Sequence, residues 1–288
     1  MRKVISITGS NGFIGSNLKK YFLSLGYHIN CLVRKIPEYL EQDVTYVLYH
    51  LEKPIYEAIF PEADIVFHCA FMAYSKTSKR ANEINISGAQ NLIRICRDKN
   101  MKIVFFSSLS AHNESGSNYG RNKLFLEGLF DPTRDLVLKL GLVMGDGGIF
   151  ASMEQIIRKS KILPLIDNGR QPVHIVAVED LMTICKISFE NNIVGKFNIG
   201  KVLPITLKAV YLLIGKKNNV KNYFLPVSSI LILTLLKITE QIGLVLPIGT
   251  ENILGLKHSK VWDTSIGMSS FKNHSDSELL SEYMETGA

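Results

Sequence analysis

The sequence predicts an α/β protein built on a doubly wound parallel sheet, with a smaller region towards the C-terminus. Three observations predict it. A β-branched apolar strand, Val4-Ile5-Ser6-Ile7, runs straight into the turn Thr8-Gly9-Ser10-Asn11-Gly12-Phe13-Ile14-Gly15. Over the first hundred residues, apolar strand-like runs alternate with helical spacings, the pattern of parallel strands connected by helices on both faces. The 288 residues, 46% of them hydrophobic, provide enough material for one such sheet and a second, smaller unit.

The first strand is apolar on both faces, as a strand covered from both sides must be. Its glycines allow a tight turn and let backbone approach a pyrophosphate where a Cβ would block it. From Phe13 onward, Ile14, Leu18, Tyr21, Phe22 and Leu25 recur at helical spacing, and Gly26 supplies a C-terminal stop. A helix starting here aims its free N–H groups at a phosphate. The second strand, His28–Val33, ends at Arg34-Lys35. An acidic residue there would bind ribose hydroxyls and select NAD; a basic one suits a 2′-phosphate, so NADP is favoured. Thr45–Tyr49 reads as a third strand and Ile65–Ala70 as a fourth, reached through a proline-bounded helix around Ile55–Phe60. A long helix over Asn82–Asp98 turns Ile84, Leu92, Ile95 and Cys96 inward, and the strand Lys102–Phe106 follows. Ligands of such sheets bind beyond the carboxyl ends of the strands. The glycine turn, Ala70 and Ser107-Ser108 all lie there.

Composition narrows the partners. The formal charge is +7, but the basic residues are dispersed, so nucleic acid is not expected. Cys31, Cys69, Cys96 and Cys185 are far apart with no C-x-x-C pair, which reads as reduced core thiols of a cytoplasmic protein. Strand begins almost at Met1, so no signal peptide is expected. No histidine has a partner at metal-ligand spacing, and no metal is expected.

The chemistry is placed where the strand after Lys102 ends in Ser107-Ser108-Leu109-Ser110-Ala111, with Tyr119 and Lys123 on the next helix. Residues four apart share a helix face. A cation beside the phenol should lower the tyrosine's pKa from its usual value near ~10 and bring it closer to acid–base work. A serine hydroxyl at the strand end can bind the same substrate oxygen, and the lysine can also reach a nicotinamide ribose.

These residues resemble the extended short-chain dehydrogenase/reductase superfamily, in its NAD-dependent epimerase/dehydratase group, with affinities to the atypical branch. The resemblance rests on TGSNGFIG, DIVFHCA, NISGAQNLI, VFFSSLSA, YGRNK with Glu127 four residues on, LKLGLVMGDGG, PVHIVAVEDL and GKFNIG. It implies a Rossmann-type doubly wound parallel sheet with a smaller C-terminal substrate domain. Residues 1–145 and 173–200 would form the NAD(P)-binding part, and 146–172 with 201–288 the substrate region. It implies Ser108, Tyr119 and Lys123 as the catalytic set. Gly9, Asn11, Gly12, Phe13, Ile14, Arg34, Leu51, Ala70, Tyr119 and Lys123 would contact the dinucleotide. Ser110, Arg170 and His174 are candidates for the substrate. The implied activity is hydride transfer by an epimerase or reductase on a sugar, with a nucleotide-sugar favoured. The alternatives are a reductase of a non-sugar carbonyl, and a retired dinucleotide-sensing or assembly protein on the same fold.

Three departures from the family pattern matter. His50-Leu51 stands where the family often carries an adenine-contacting aspartate. Leu109-Ser110 replaces the Asp-Glu pair of sugar-nucleotide dehydratases, so water elimination is not expected. Only ten residues separate Ser108 from Tyr119, a shorter loop than in well-known sugar-nucleotide epimerases. His68 reads as structural or cofactor-adjacent, and His112 as solvated. Asp146–Gly148 and Asp167–Arg170 are expected as loops facing the substrate. Within 225–247, the run Ile230–Leu236 is apolar all round but too short to span a bilayer. It is read as a buried helix or the packing surface of a homodimer; a peripheral membrane contact is the other reading. The polar tail from Asn273 is expected to be mobile at its end.

Overall fold

A computed structural model describes residues 3–55, 57, 60–72, 78–243 and 249–274. The first elements alternate as expected: β1 (Val4–Thr8), α1 (Phe13–Ser24), β2 (His28–Val33), β3 (Val44–Leu48), β4 (Ile65–His68), α2 (Ser78–Asp98), β5 (Lys102–Ser108) and α3 (Asn118–Glu127). Next come β6 (Leu136–Leu140), β7 (Leu142–Met144), α4 (Gly148–Lys159), β8 (Ile162–Ile166), β9 (Pro172–Val173), β10 (Ile175–Ala177), α5 (Val178–Glu190) and β11 (Gly195–Ile199). The last are β12 (Ile205–Thr206), α6 (Leu207–Lys217), β13 (Tyr223–Val227), α7 (Ser229–Gln241), α8 (Thr250–Lys257) and α9 (Ser265–Lys272).

Seven strands form one parallel Rossmann-type sheet in the order β11-β6-β5-β4-β1-β2-β3. The chain changes direction across the sheet between β1 and β4, the place where such folds hold ligands. Ile5 lies opposite Ile29 on one side and Ile65 on the other. Ile5, Ile7, Ile29, Ile65, Phe67 and Ile103 have no solvent exposure, which is why these strands read as unbroken apolar runs. Leu92, Ile95 and Cys96 of α2 pack with Ile103 and Phe105 of β5, Leu126 of α3 and Val137 of β6. Burying each large aliphatic side chain of this kind stabilises by about 1.5–3 kcal/mol.

Boundaries differ from the sequence reading where side chains intervene. The fourth strand stops at His68 rather than Ala70, because the Ala70 N–H leaves the ladder to donate to the Thr8 hydroxyl at 3.1 Å. The fifth strand runs on through Ser107 and Ser108, so both serines are strand residues and not turn residues. The long helix starts at Ser78, before the expected Asn82. The helix expected around Ile55–Phe60, the end of the 225–247 run and the end of the tail lie wholly or partly outside the described residues.

The chain divides into two compact units: residues up to Ser107 with Asn122–Lys139 and Val178–Phe197, and Ser108–Arg121 with Leu140–Ala177 and the chain from Asn198. In the second, β7/β10 and β8/β13 pair parallel and β9/β12 antiparallel. Its core joins Phe150, Met153 and Ile157 of α4 to Leu163 of β8 and Leu207, Val210 and Ile214 of α6.

Helix α7 is covered on one face and exposed on the other. Leu236 is buried against Ile166 and Ile253, and Ile232 and Leu233 pack on that cluster. Ile230, Leu231, Leu235 and Ile238 are each more than half exposed. No described helix is long and apolar enough to cross a membrane.

Candidate active site

In the first unit, glycine geometry builds a cradle at the end of β1. Gly9 has a φ of +66°, and a Cβ on it would lie 2.8 Å from the Ala70 nitrogen. The ends of β1 and β4 therefore meet backbone to backbone. The Gly12 N–H donates to the Gly9 carbonyl at 2.9 Å, closing the turn. A Cβ on Gly15 would lie 2.4 Å from that same carbonyl, so the first turn of α1 packs directly on the loop. Gly12 caps α1 with no side-chain hydrogen bond, and Asn11 and Gly12 are exposed. A helix N-terminus presented without side chains accommodates an anionic pyrophosphate. The residues present fit a dinucleotide, and Gly9, Asn11, Gly12, Phe13 and Ile14 are the candidates to hold it.

Around it, Thr8 works as a latch: its hydroxyl accepts from Ala70 and lies 2.8 Å from His68 Nδ1. His68 is buried, and burial, with a further push from the Lys123 charge, brings its pKa down to about 3. It is a neutral strut at neutral pH. Arg34 follows β2 directly and is exposed. Leu51 packs on α2 at Gly88, where a Cβ would come within 2.6 Å of Leu51 Cδ2. Asn85 of α2 holds the chain after β4 at both ends of its amide, accepting from the Met72 N–H at 2.7 Å and donating to the Met72 carbonyl at 3.1 Å.

Lys123 is buried, and its Nζ donates to the Phe106 carbonyl at 2.7 Å. It lies over the rings of Phe71 and Phe105, 4.3 and 4.6 Å from their centroids. Burial brings its pKa down to about 7, against the pull of Cys69 and Glu127. Glu127, one turn on, is buried yet well supplied with donors. It takes the Ser107 hydroxyl at 2.6 Å, Lys139 at 3.2 Å and Lys196 at 3.0 Å. A buried carboxylate needs that degree of compensation.

The second unit holds Ser108 and Tyr119. Burial pushes the Tyr119 phenol up to about 12, offset in part by a hydrogen bond with the Ser108 side chain. This reverses the expected sign: loss of water outweighs the hydrogen bond with Ser108. Ser117 caps α3, its hydroxyl accepting from the Gly120 N–H at 3.0 Å. Glu251 of α8 adds a carboxylate at the same helix end, accepting from Asn118 Nδ2 at 2.9 Å and the Tyr119 N–H at 3.0 Å. Gly120 leaves no room for a side chain, since a Cβ would lie 2.0 Å from Ser115 Oγ and 2.3 Å from the Ser110 carbonyl. The Ser110 N–H donates to Ser108 Oγ at 3.1 Å, fixing the serine from behind.

Two histidines serve the backbone. His112, expected in solvent, is buried, with Nε2 3.0 Å from the His258 carbonyl. His174 accepts the Trp262 N–H on Nε2 at 3.0 Å, which leaves Nδ1 to donate to the Lys201 carbonyl at 2.7 Å. With both ring nitrogens engaged and burial lowering its pKa, His174 is a strut, not a ready substrate ligand. Arg170 is exposed at the end of a turn whose Asp167 accepts the Ser229 N–H at 3.0 Å, so the aspartate serves the start of α7. Sequence reasoning missed Asn85, Ser117 and Glu251. The first two carried local signals, a polar residue on the inward face of a helix and a serine at an N-cap. Glu251 carried none, being over a hundred residues from its partners.

A family model matches residues 5–134, and its description is the NAD dependent epimerase/dehydratase family. The chain is 27% identical over 201 residues to a ceramide reductase of Caulobacter vibrioides, covering 64% of this chain and 62% of the relative's length. It is 25% identical over 222 residues to a UDP-glucose 4-epimerase of Vibrio cholerae, covering 64% of this chain and 67% of that one. In fold it matches the crystal structure of gox2253 with a TM-score of 0.73 at 16% identity, over 99% of this chain and 96% of the other. The solved structure shares the Rossmann-type architecture that the sequence predicts.

Proposed function

We propose that the chain is an NAD(P)-dependent oxidoreductase or epimerase that moves a hydride to or from a secondary carbon. The observation that supports it best is Tyr119: a phenol held neutral by burial, hydrogen-bonded with Ser108, on the helix that also carries Lys123. A neutral phenol is in the right state to give a proton to a developing alkoxide. In that direction Tyr119 gives its proton to the substrate oxygen, and the single O–H of Ser108 then turns to the phenolate left behind. In reverse, the phenolate takes the proton back. The dinucleotide, when bound in the glycine cradle, supplies or accepts the hydride.

The favoured substrate is a sugar carried on a nucleotide, in line with the family and the UDP-glucose 4-epimerase relative. A second reading is reduction of a non-sugar ketone, and the match to the ceramide reductase favours it. The chain is proposed to act in the cytoplasm as a homodimer. The test is a panel assay following absorbance at 340 nm, with UDP-hexoses and long-chain keto-amides each offered with NADH and NADPH, and isomer analysis of the UDP-hexoses. Turnover in no combination sinks the reading.

Cofactor choice has its own test. The exposed Arg34 directly after β2 supports pairing with a ribose 2′-phosphate, and NADP is proposed on that ground. Arg34→Asp is expected to shift the preference towards NAD, read by titrating both dinucleotides against both proteins. A wild type that already prefers NAD removes Arg34 from the argument.

A further inference from the structure

The second unit contains a cavity of about 150 Å³ between α4, β8, α6, α7 and α8. Its walls include Met153, Ile157, Leu163, Ile232, Leu236 and Ile253. A cavity of this size with a mainly apolar lining suits a small apolar group. Three further features point to what enters it. Helix α7 walls the cavity with Ile232 and Leu236 and exposes Leu231, Leu235 and Ile238 on its other side, so apolar surface continues from the interior to the outside. Between residues 201 and 240 the chain carries Lys201, Lys208, Lys216, Lys217, Lys221 and Lys237 against the single acid Glu240. Lys217 pairs with Glu154, and the other five lysines leave this stretch of chain, which includes the apolar helix, with a net positive charge that suits the anionic surface from which an amphiphile is drawn. Finally, α8 contributes Ile253 to the cavity wall and Glu251 to the start of the Tyr119 helix.

We infer that this cavity binds the aliphatic chain of a membrane-derived amphiphile. The inference deepens the function proposed above, on which it rests only for the bound molecule being the substrate. It holds for either head group, a lipid-linked sugar or a keto-lipid.

The test uses the full chain without cofactor and a series of straight-chain alkanoates from four to twelve carbons, measured by displacement of cis-parinaric acid. Affinity is expected to tighten by roughly fourfold per added methylene until the cavity is full and then level off. Ile156→Phe and Ile232→Phe narrow the cavity from two walls at partly exposed positions, and each should weaken decanoate binding at least tenfold. Melting curves and NAD(H) titrations of both variants should stay close to wild type. No saturable binding, or a series flat with chain length, overturns the inference. So does unchanged decanoate affinity in both variants. Should a variant fail to fold, the wild-type chain-length series decides alone. Decanoate binding without turnover on any substrate would sink the hydride reading and leave the cavity assignment standing; turnover without decanoate binding would do the reverse.

Discussion

Tyr119→Phe is expected to lower turnover by roughly 10²–10⁴-fold while leaving dinucleotide affinity nearly unchanged. Only the phenolic oxygen is removed; the ring stays, as do the caps from Ser117 and Glu251 that place it. Single-turnover hydride transfer and a dinucleotide titration measure the two halves separately. Unchanged turnover on the true substrate would take Tyr119 out of the mechanism. Lys123→Ala is expected to reduce both quantities, because the lysine is assigned to the tyrosine and the ribose together.

Gly9→Ala is expected to abolish dinucleotide binding and lower the melting temperature. The alanine would occupy a left-handed backbone position, costing about 1–2 kcal/mol. It would also push its methyl against the Ala70 backbone, which has no side-chain rotation with which to give way. Gly26→Ala is the matched control: φ is +82°, but nothing lies within 4 Å of the added carbon. The control carries the conformational cost without the collision. Equal losses in the two variants would mean that the close approach at Ala70 contributes nothing.

Much of the sheet was legible in the sequence because its signals are local. β2 was read to the residue, since a strand buried on both faces bounded by Tyr27 and Arg34 has one reading. The order of motifs, from glycine turn to Ser108, Tyr119 and Lys123, was equally local. What escaped depends on contacts between distant residues. The tyrosine's pKa rises because burial dominates, and burial cannot be read from the four-residue spacing to Lys123. His174 is spent on Lys201 and Trp262, the latter 88 residues away. The apolar helix α7 gave no hint in its pattern of which side would be covered, because apolar residues occupy both.

The bond from Glu251 to the start of α3 has a consequence for anyone exchanging parts among relatives. The family match ends at residue 134, yet the residue that orients Tyr119's backbone lies well beyond it. A hybrid joining the first half of this chain to another protein's C-terminal region would keep the glycine turn, Ser108, Tyr119 and Lys123 and lose the carboxylate that seats the acid–base group. Such hybrids would bind dinucleotide and turn over poorly, unless the donor brings its own acid to that place.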